Sequence, residues 1–235
     1  MPLQKPAAKR PRCELMRKRF LVAFVVLVVA GLSFHMLDTS IAERRENEIL
    51  QRIQDFMVQR NGEKAVVFVG DSIVQDAHFA PTLCGQPVIN AAYGGAVASG
   101  VLRMVEAFDR IRFAPAVLVI SVGINNSIRV DRRPFAETYR EIVQRAAALA
   151  DKVFVVSPTP VAASGVMADE IDRARLSEID QAIRQTAHDR SIPLIDVGTL
   201  QTKTSPVVAD GVHLSADGYA AWTSTIESAI SAQCP

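Results

Sequence analysis

Cysteine, aromatic residues and net charge are all scarce in this chain, and each scarcity excludes something. Only three cysteines occur in 235 residues. No two have the spacing of a metal site, so no zinc cluster is expected. Aromatic residues make up 6% of the sequence, so the core must be mainly aliphatic, which suits an α/β domain. The formal net charge is only +1, and it is unevenly spread. Residues 1–19 hold seven Lys/Arg against one acid, Glu14, which leaves a net −5 on everything after them. A weakly acidic body does not fit nucleic acid as a partner. There is no internal repeat and no low-complexity tract. The length admits one sizeable domain plus an appendage.

What is present begins with a topological signal. Residues 20–37 carry no charge, and Ser33 and His35 are their only polar members. That length is at the lower edge for a helix spanning a bilayer. With Lys/Arg crowded before it, the positive-inside tendency places residues 1–19 in the cytoplasm and the rest of the chain beyond it. A cleaved signal peptide is the rival reading, since Val28-Val29-Ala30 and Ser40-Ile41-Ala42 both offer small residues to a peptidase. The first reading predicts a membrane-anchored protein with an extracytoplasmic domain; the second predicts a secreted one. Residues 41–60 then read as a stalk helix. Glu43, Arg44, Arg45, Glu46 and Glu48 are charged, and Ile49, Leu50, Ile53, Phe56 and Met57 form an apolar stripe. The stripe either packs on the domain or serves self-association, so the oligomeric state stays open. Asn61-Gly62 breaks the helix. The expected organisation is a basic head at 1–19, an anchor or signal peptide at 20–37, a stalk and linker at 38–64, and a folded domain at 65–235.

From residue 65 strands and helices alternate. Strands are predicted at 65–69, 87–90, 116–122, 153–156 and 193–197. The run at 116–122 is apolar throughout, as in a strand covered on both faces. Helices are predicted at 76–83, 100–113, 134–150, 168–190 and from a Ser215 cap to about 231. Five short strands joined by helical crossovers predict an α/β fold with a doubly wound parallel sheet.

The chemistry concentrates where strands end. Val66-Val67-Phe68-Val69 breaks at Gly70, and Ser72 follows two residues later. That is how a buried strand ends and presents a nucleophile at its carboxyl edge. A serine hydroxyl is a weak nucleophile until a base takes its proton and a third group orients the base. Asp210 and His213, three apart in one short loop, supply both. Taken alone, Ser72 reads as a helix cap and Asp210 with His213 as a polar turn. Two further segments fall at strand ends, Asn90-Ala91-Ala92-Tyr93-Gly94-Gly95 and Gly123-Ile124-Asn125-Asn126.

These four segments, in this order, resemble the SGNH (GDSL-type) hydrolase family over residues 65–232. The resemblance implies a flavodoxin-like, three-layer α/β/α sandwich with a five-stranded parallel sheet. It implies a serine ester hydrolase that uses no metal and no cofactor. Ser72 would be the nucleophile, His213 the general base and Asp210 the residue that orients it. The backbone N–H groups of Ser72 and Gly95 and the side-chain amide of Asn125 would form the oxyanion hole. The implied substrate is an O-acyl ester, small or short-chain, on a small molecule, a glycan or a lipid. The same residues would serve an acyltransferase on envelope glycans or lipids. A non-catalytic, membrane-tethered binding module on the same fold is the third reading. The third segment departs from the family's usual Gly-x-Asn-Asp, because Asn126 stands where an acid is usual.

Other residues carry lesser expectations. Asp71 should hold its turn, and Asn90 should tie neighbouring loops. His78 and His188 should lie on helices outside the chemistry. Arg129, Arg132 and Arg133 either face an anionic substrate or line a solvated loop. Cys13 lies in the basic head. In a doubly wound sheet Cys84, at the end of the first helix, and Cys234, after the last, would both lie near the strands' amino-terminal edge. If the domain is exported they either pair or remain free thiols.

Overall fold

The apolar runs and amphipathic segments of the computed structural model become six strands with helices between them, and residues 41 and 43–234 are described. The basic head and the apolar segment 20–37 lie outside the described residues. Among the described residues no helix is long and apolar enough to cross a membrane. The chain divides into an amino-terminal unit ending at Arg44 and a larger unit beginning at Arg45. The sheet and the site belong to the larger unit.

The strands are β1 (Val66–Gly70), β2 (Thr82–Leu83), β3 (Gln86–Asn90), β4 (Val117–Ser121), β5 (Lys152–Val156) and β6 (Leu194–Ile195). The helices are α1 (residues 43–59), α2 (Ser72–Gln75), α3 (Ala98–Arg110), α4 (Ile124–Ile128), α5 (Phe135–Leu149), α6 (Arg173–Asp189) and α7 (Ala216–Ser231). The sheet order is β2-β3-β1-β4-β5-β6. Five strands run parallel, as expected, with β1 flanked by β3 (Val66 beside Val88) and β4 (Val66 beside Val117). Every residue of β1 and of β4 is buried. Burial on both faces explains why both read as unbroken apolar runs. Gly70 is required by this packing, because a side chain there would collide with the Ser121 carbonyl oxygen on β4.

Val66 and Phe68 face a core shared with Phe154, Val156, Trp222 and Ile226, beneath α7. Val67 and Val69 point to the other face by strand alternation. There α3 packs on α5, and α5 on α6. The apolar stripe of α1 also packs on this domain, with Ile49 and Ile53 fully buried.

The expected helix at 76–83 does not form. Pro81 has no N–H to give a helix. Cys84 and Gly85 take φ of 54° and 72°, and this two-residue turn folds β2 back antiparallel onto β3. The sheet therefore gains a sixth, antiparallel edge strand. Phe79, from the same stretch, stacks on Phe68 with ring centroids 3.7 Å apart. The expected helix at 168–190 is also interrupted. A 3-10 turn at Ala168–Glu170 precedes α6, which Asp172 caps by accepting from the Arg175 N–H at 3.0 Å.

Cys84 and Cys234 are joined in a disulfide with Cα atoms 5.4 Å apart and 150 residues between them in sequence. Cys84 comes from the hairpin turn rather than from a helix end, and it enters β3 from the sheet's amino-terminal edge. The bond ties α7 to the hairpin on the edge opposite Ser72. Replacing both cysteines with serine should lower stability by about 2–5 kcal/mol, the range seen when a native disulfide closing a long loop is lost. Denaturant unfolding checks this.

Candidate active site

Ser72 opens α2 immediately after β1 and the Asp71 turn. Asp71 is the cap: its carboxylate accepts from the Ile73 N–H at 3.0 Å. As the first helical residue, Ser72 has a backbone N–H with no partner in the helix. The loop that carries Asp210 and His213 is closed by Val208 N–H donating to the His213 carbonyl at 2.9 Å and by a bridge between Val207 and Leu214. Asp210 Oδ1 accepts from the N–H groups of Val212 (2.8 Å) and His213 (3.0 Å). Its other oxygen lies 2.7 Å from His213 Nδ1, and His213 Nε2 lies 2.9 Å from Ser72 Oγ. With Nδ1 donating to Asp210, Nε2 is left to accept from the serine hydroxyl. Burial pushes the Asp210 carboxyl up, but the Val212 N–H and the two His213 donors outweigh it and hold the group below its ordinary value. Asp210 is therefore an anion placed to stabilise a protonated His213.

Gly94 and Gly95 follow β3, and Asn125 stands in the first turn of α4 after β4. Gly95 has φ +78°, a conformation that glycine adopts freely. Its N–H has no acceptor among the described residues. One amide N–H of Asn125 donates to the Ala96 carbonyl at 3.0 Å, which fixes the side chain and leaves the second N–H for a substrate oxygen. Asn126 is buried and accepts from the Ala98 N–H at 2.9 Å, so the residue that departs from the usual pattern anchors the start of α3. Asn90 ties loops as expected, donating to the Val74 carbonyl at 2.6 Å and accepting from the Ala92 N–H at 3.1 Å.

The three arginines separate. Arg129 brings a guanidinium nitrogen to 3.8 Å from where a side chain on Gly95 would begin. Arg133 pairs with Glu141 at 2.7 Å on α5, and Arg132 is exposed. His78 lies in the loop after α2, not on a helix, and is exposed. His188 is on α6 and its side chain is 85% exposed, away from the serine's hydrogen-bond chain. Among the described residues no group of His, Cys, Asp and Glu is placed to hold a metal ion.

Four residues around the Gly94 loop have no signal in the sequence. Gln75 Oε1 accepts from the Gly94 N–H at 2.6 Å. Arg45 Nη1 donates to the Gly94 carbonyl at 3.0 Å. Tyr93 Oη donates to Glu46 at 2.7 Å, and Arg103 pairs with the same carboxylate at 2.7 Å. The charges on α1 read as a solvated face, and nothing in their spacing links them to a loop almost fifty residues away.

Asp71 is the most perturbed acid of the site. Burial raises its pKa from 3.8 to about 7, although the Ile73 N–H and His213 act the other way. Between about pH 4 and 7 the folded protein keeps a proton at Asp71 that the unfolded chain has lost. This group's contribution to stability therefore falls as pH rises through that window and is level above it. Asp71→Asn keeps a capping oxygen and removes the titration. The variant should be more stable than the parent above pH 7, with the difference vanishing near pH 4. Urea midpoints at pH 4, 6 and 8 check this.

The model of the GDSL-like lipase/acylhydrolase family matches residues 68–221. No curated protein matches the chain. A lipase/acylhydrolase from Enterococcus faecalis shares 23% identity at a TM-score of 0.58, over 73% of this chain and 97% of that one. A GDSL-like lipase from Bacteroides thetaiotaomicron shares 20% identity at 0.59, over 77% and 96%. An acetylxylan esterase from Geobacillus stearothermophilus, solved as a catalytic mutant, shares 18% identity at 0.55, over 72% and 94%. At these identities the likeness is one of fold, whereas the family match covers most of the chain and all four strand-end segments. The chain belongs to the GDSL-like lipase/acylhydrolase family and is an ester-bond hydrolase.

Proposed function

We propose that this hydrolase works by a Ser72–His213–Asp210 triad on small or short-chain O-acyl esters. The observation that carries the reading is the unbroken hydrogen-bond chain from Ser72 Oγ through His213 to Asp210, at 2.9 and 2.7 Å. Ser72 Oγ attacks the ester carbonyl carbon while its proton passes to His213 Nε2. The carbonyl π electrons move onto oxygen. The N–H groups of Ser72 and Gly95 and the Asn125 amide receive that charge. Such preorganised donors hold it better than water, because they need not reorient as it forms. Collapse of the tetrahedral adduct breaks the bond to the alcohol oxygen, which leaves with the proton from His213. Water then repeats the sequence on the acyl-enzyme, transferring its proton to His213 and releasing the acid.

The short connections after β3 and β4 support a site open to small acyl groups on that side. Residues 91–97 alone separate β3 from α3, and residues 122–123 alone separate β4 from α4. An acetylxylan esterase among the similar folds makes acetylated glycan a substrate worth testing first. The domain is proposed to face away from the cytoplasm on an amino-terminal anchor. The basic head, the uncharged segment 20–37 and the Cys84–Cys234 disulfide support this, since such bonds persist in oxidising compartments.

Ser72→Ala should abolish hydrolysis of nitrophenyl acetate while leaving the fold intact, as read by circular dichroism. Full turnover in that variant would exclude the serine mechanism. Asn125→Ala should lower kcat by about 100- to 1000-fold, the effect of losing one oxyanion donor. In cells making the full chain and stripped of any outer envelope, added protease should degrade the domain, and the amino-terminal segment should fractionate with membranes. A domain protected until the cytoplasmic membrane itself is broken would reverse the proposed orientation.

A further inference from the structure

A helix outside the family match reaches into the oxyanion loop. The matched region begins at residue 68, whereas Arg45 and Glu46 lie on α1. Two short polar contacts join α1 to the Tyr93-Gly94-Gly95 loop. Glu46 is buried and accepts from Tyr93 Oη at 2.7 Å, while Arg103 neutralises the same carboxylate at 2.7 Å. Burial and the Glu46 carboxylate both push the Tyr93 hydroxyl up, so it stays protonated and remains a donor. Arg45 Nη1 donates to the carbonyl of Gly94 at 3.0 Å. From the other side Gln75, the last residue of α2, accepts from the Gly94 N–H at 2.6 Å.

The bond from Arg45 bears directly on the proposed oxyanion hole. The Gly94 carbonyl and the Gly95 N–H belong to one peptide unit, which is planar and trans, so the two point in opposite directions. Fixing the carbonyl oxygen fixes the direction of the N–H. Two successive glycines offer little resistance to rotation of that plane, because neither has a side chain to restrict it. The plane must therefore be held from outside. The arginine charge also polarises the amide, which strengthens its N–H as a donor. Gly94 sits between the groups concerned: a side chain there would begin 3.4 Å from Gln75 Oε1, 3.5 Å from Arg45 Nη1 and 3.8 Å from Ser72 Cβ.

We infer that Arg45 is a positioning residue for catalysis: it holds the Gly94–Gly95 peptide so that the Gly95 N–H faces the acyl oxygen, and Glu46 seats α1 for that purpose through Tyr93. The inference rests on the triad and oxyanion-hole reading above. Arg45 acts here through the Gly94 carbonyl, so its effect belongs in the transition state and not in substrate binding.

The test uses the full chain with Arg45→Met, Arg45→Lys and Arg45→Gln, with rates expressed per serine titrated to completion by a fluorophosphonate. Counting only reactive sites removes unfolded protein from the comparison. Arg45→Met should lower kcat on nitrophenyl acetate by about ten- to a hundred-fold with KM changed less than about twofold. Affinity for a boronic acid that adds to the serine should fall by a similar factor. Lysine, which keeps a cationic donor, should restore most of the loss. Should the methionine variant yield no titratable sites, Arg45→Gln replaces it with the same expectation. A parent protein with no Ser72-dependent turnover would remove the underlying reading. An active parent whose Met or Gln variant keeps its kcat and its boronate affinity would overturn the role of Arg45. A loss confined to KM, or one that lysine does not relieve, would overturn it too.

Discussion

The structure depends on β1 lying between two parallel neighbours. Its pairing with β3 on one side and β4 on the other brings three strand ends to one edge of the sheet. Adjacent strands are spaced about 5 Å apart. Ser72, the glycine loop and Asn125 are therefore placed by backbone hydrogen bonds before any of their side chains interact. A one-residue slip of β1 would exchange the faces of Phe68 and Val69 and break both cores. Site and core are thus specified by the same register. Gly70 shows how tight that specification is, since no larger residue fits against the Ser121 carbonyl.

The strand ends supply position but not orientation, and orientation comes from polar contacts behind each residue of the candidate site. Asp210 is fixed by two backbone N–H groups before it meets His213. Asn125 is fixed by the Ala96 carbonyl, and the loop before α3 by Asn126. Asp71 has the opposite character: a carboxyl in an almost water-free position, useful as a cap and costly once ionised. Placing an acid beside Ser72 works against stability in neutral solution and for the geometry of the turn. Such conflicts between local rules and local function are concentrated at sites of chemistry.

What the sequence makes legible follows from the range of the interaction concerned. The five parallel strands could be read because burial on both faces leaves an apolar run that requires no partner to recognise. Ser72, Asp210 and His213 could be singled out because each follows such a run or belongs to a compact local motif, and Gly95 and Asn125 because four such segments in order resemble one family. The segment 76–83 misled through its apolar residues Ala77, Phe79, Ala80 and Leu83, which imitate a helical face. Phe79 instead stacks on Phe68, and the Ala80 N–H donates to Glu227 at 2.7 Å, partners visible only in the fold. Pro81 and the Cys84-Gly85 pair were the local signs of a hairpin. Arg45 and Glu46 had no local sign at all. A charge on a helix looks the same whether it faces water or a loop folded against it from far along the chain.

The disulfide has a consequence beyond its loop. It encloses residues 85–233, which hold His213 and Asp210, while Ser72 lies just outside on the Cys84 side. A protease cutting at the exposed Ala163-Ser164 pair would therefore divide Ser72 from His213 in sequence without parting them as molecules. The two fragments stay cross-linked at the sheet's amino-terminal edge, with the severed ends at the other. A nicked copy of this enzyme would migrate as one species until reduced.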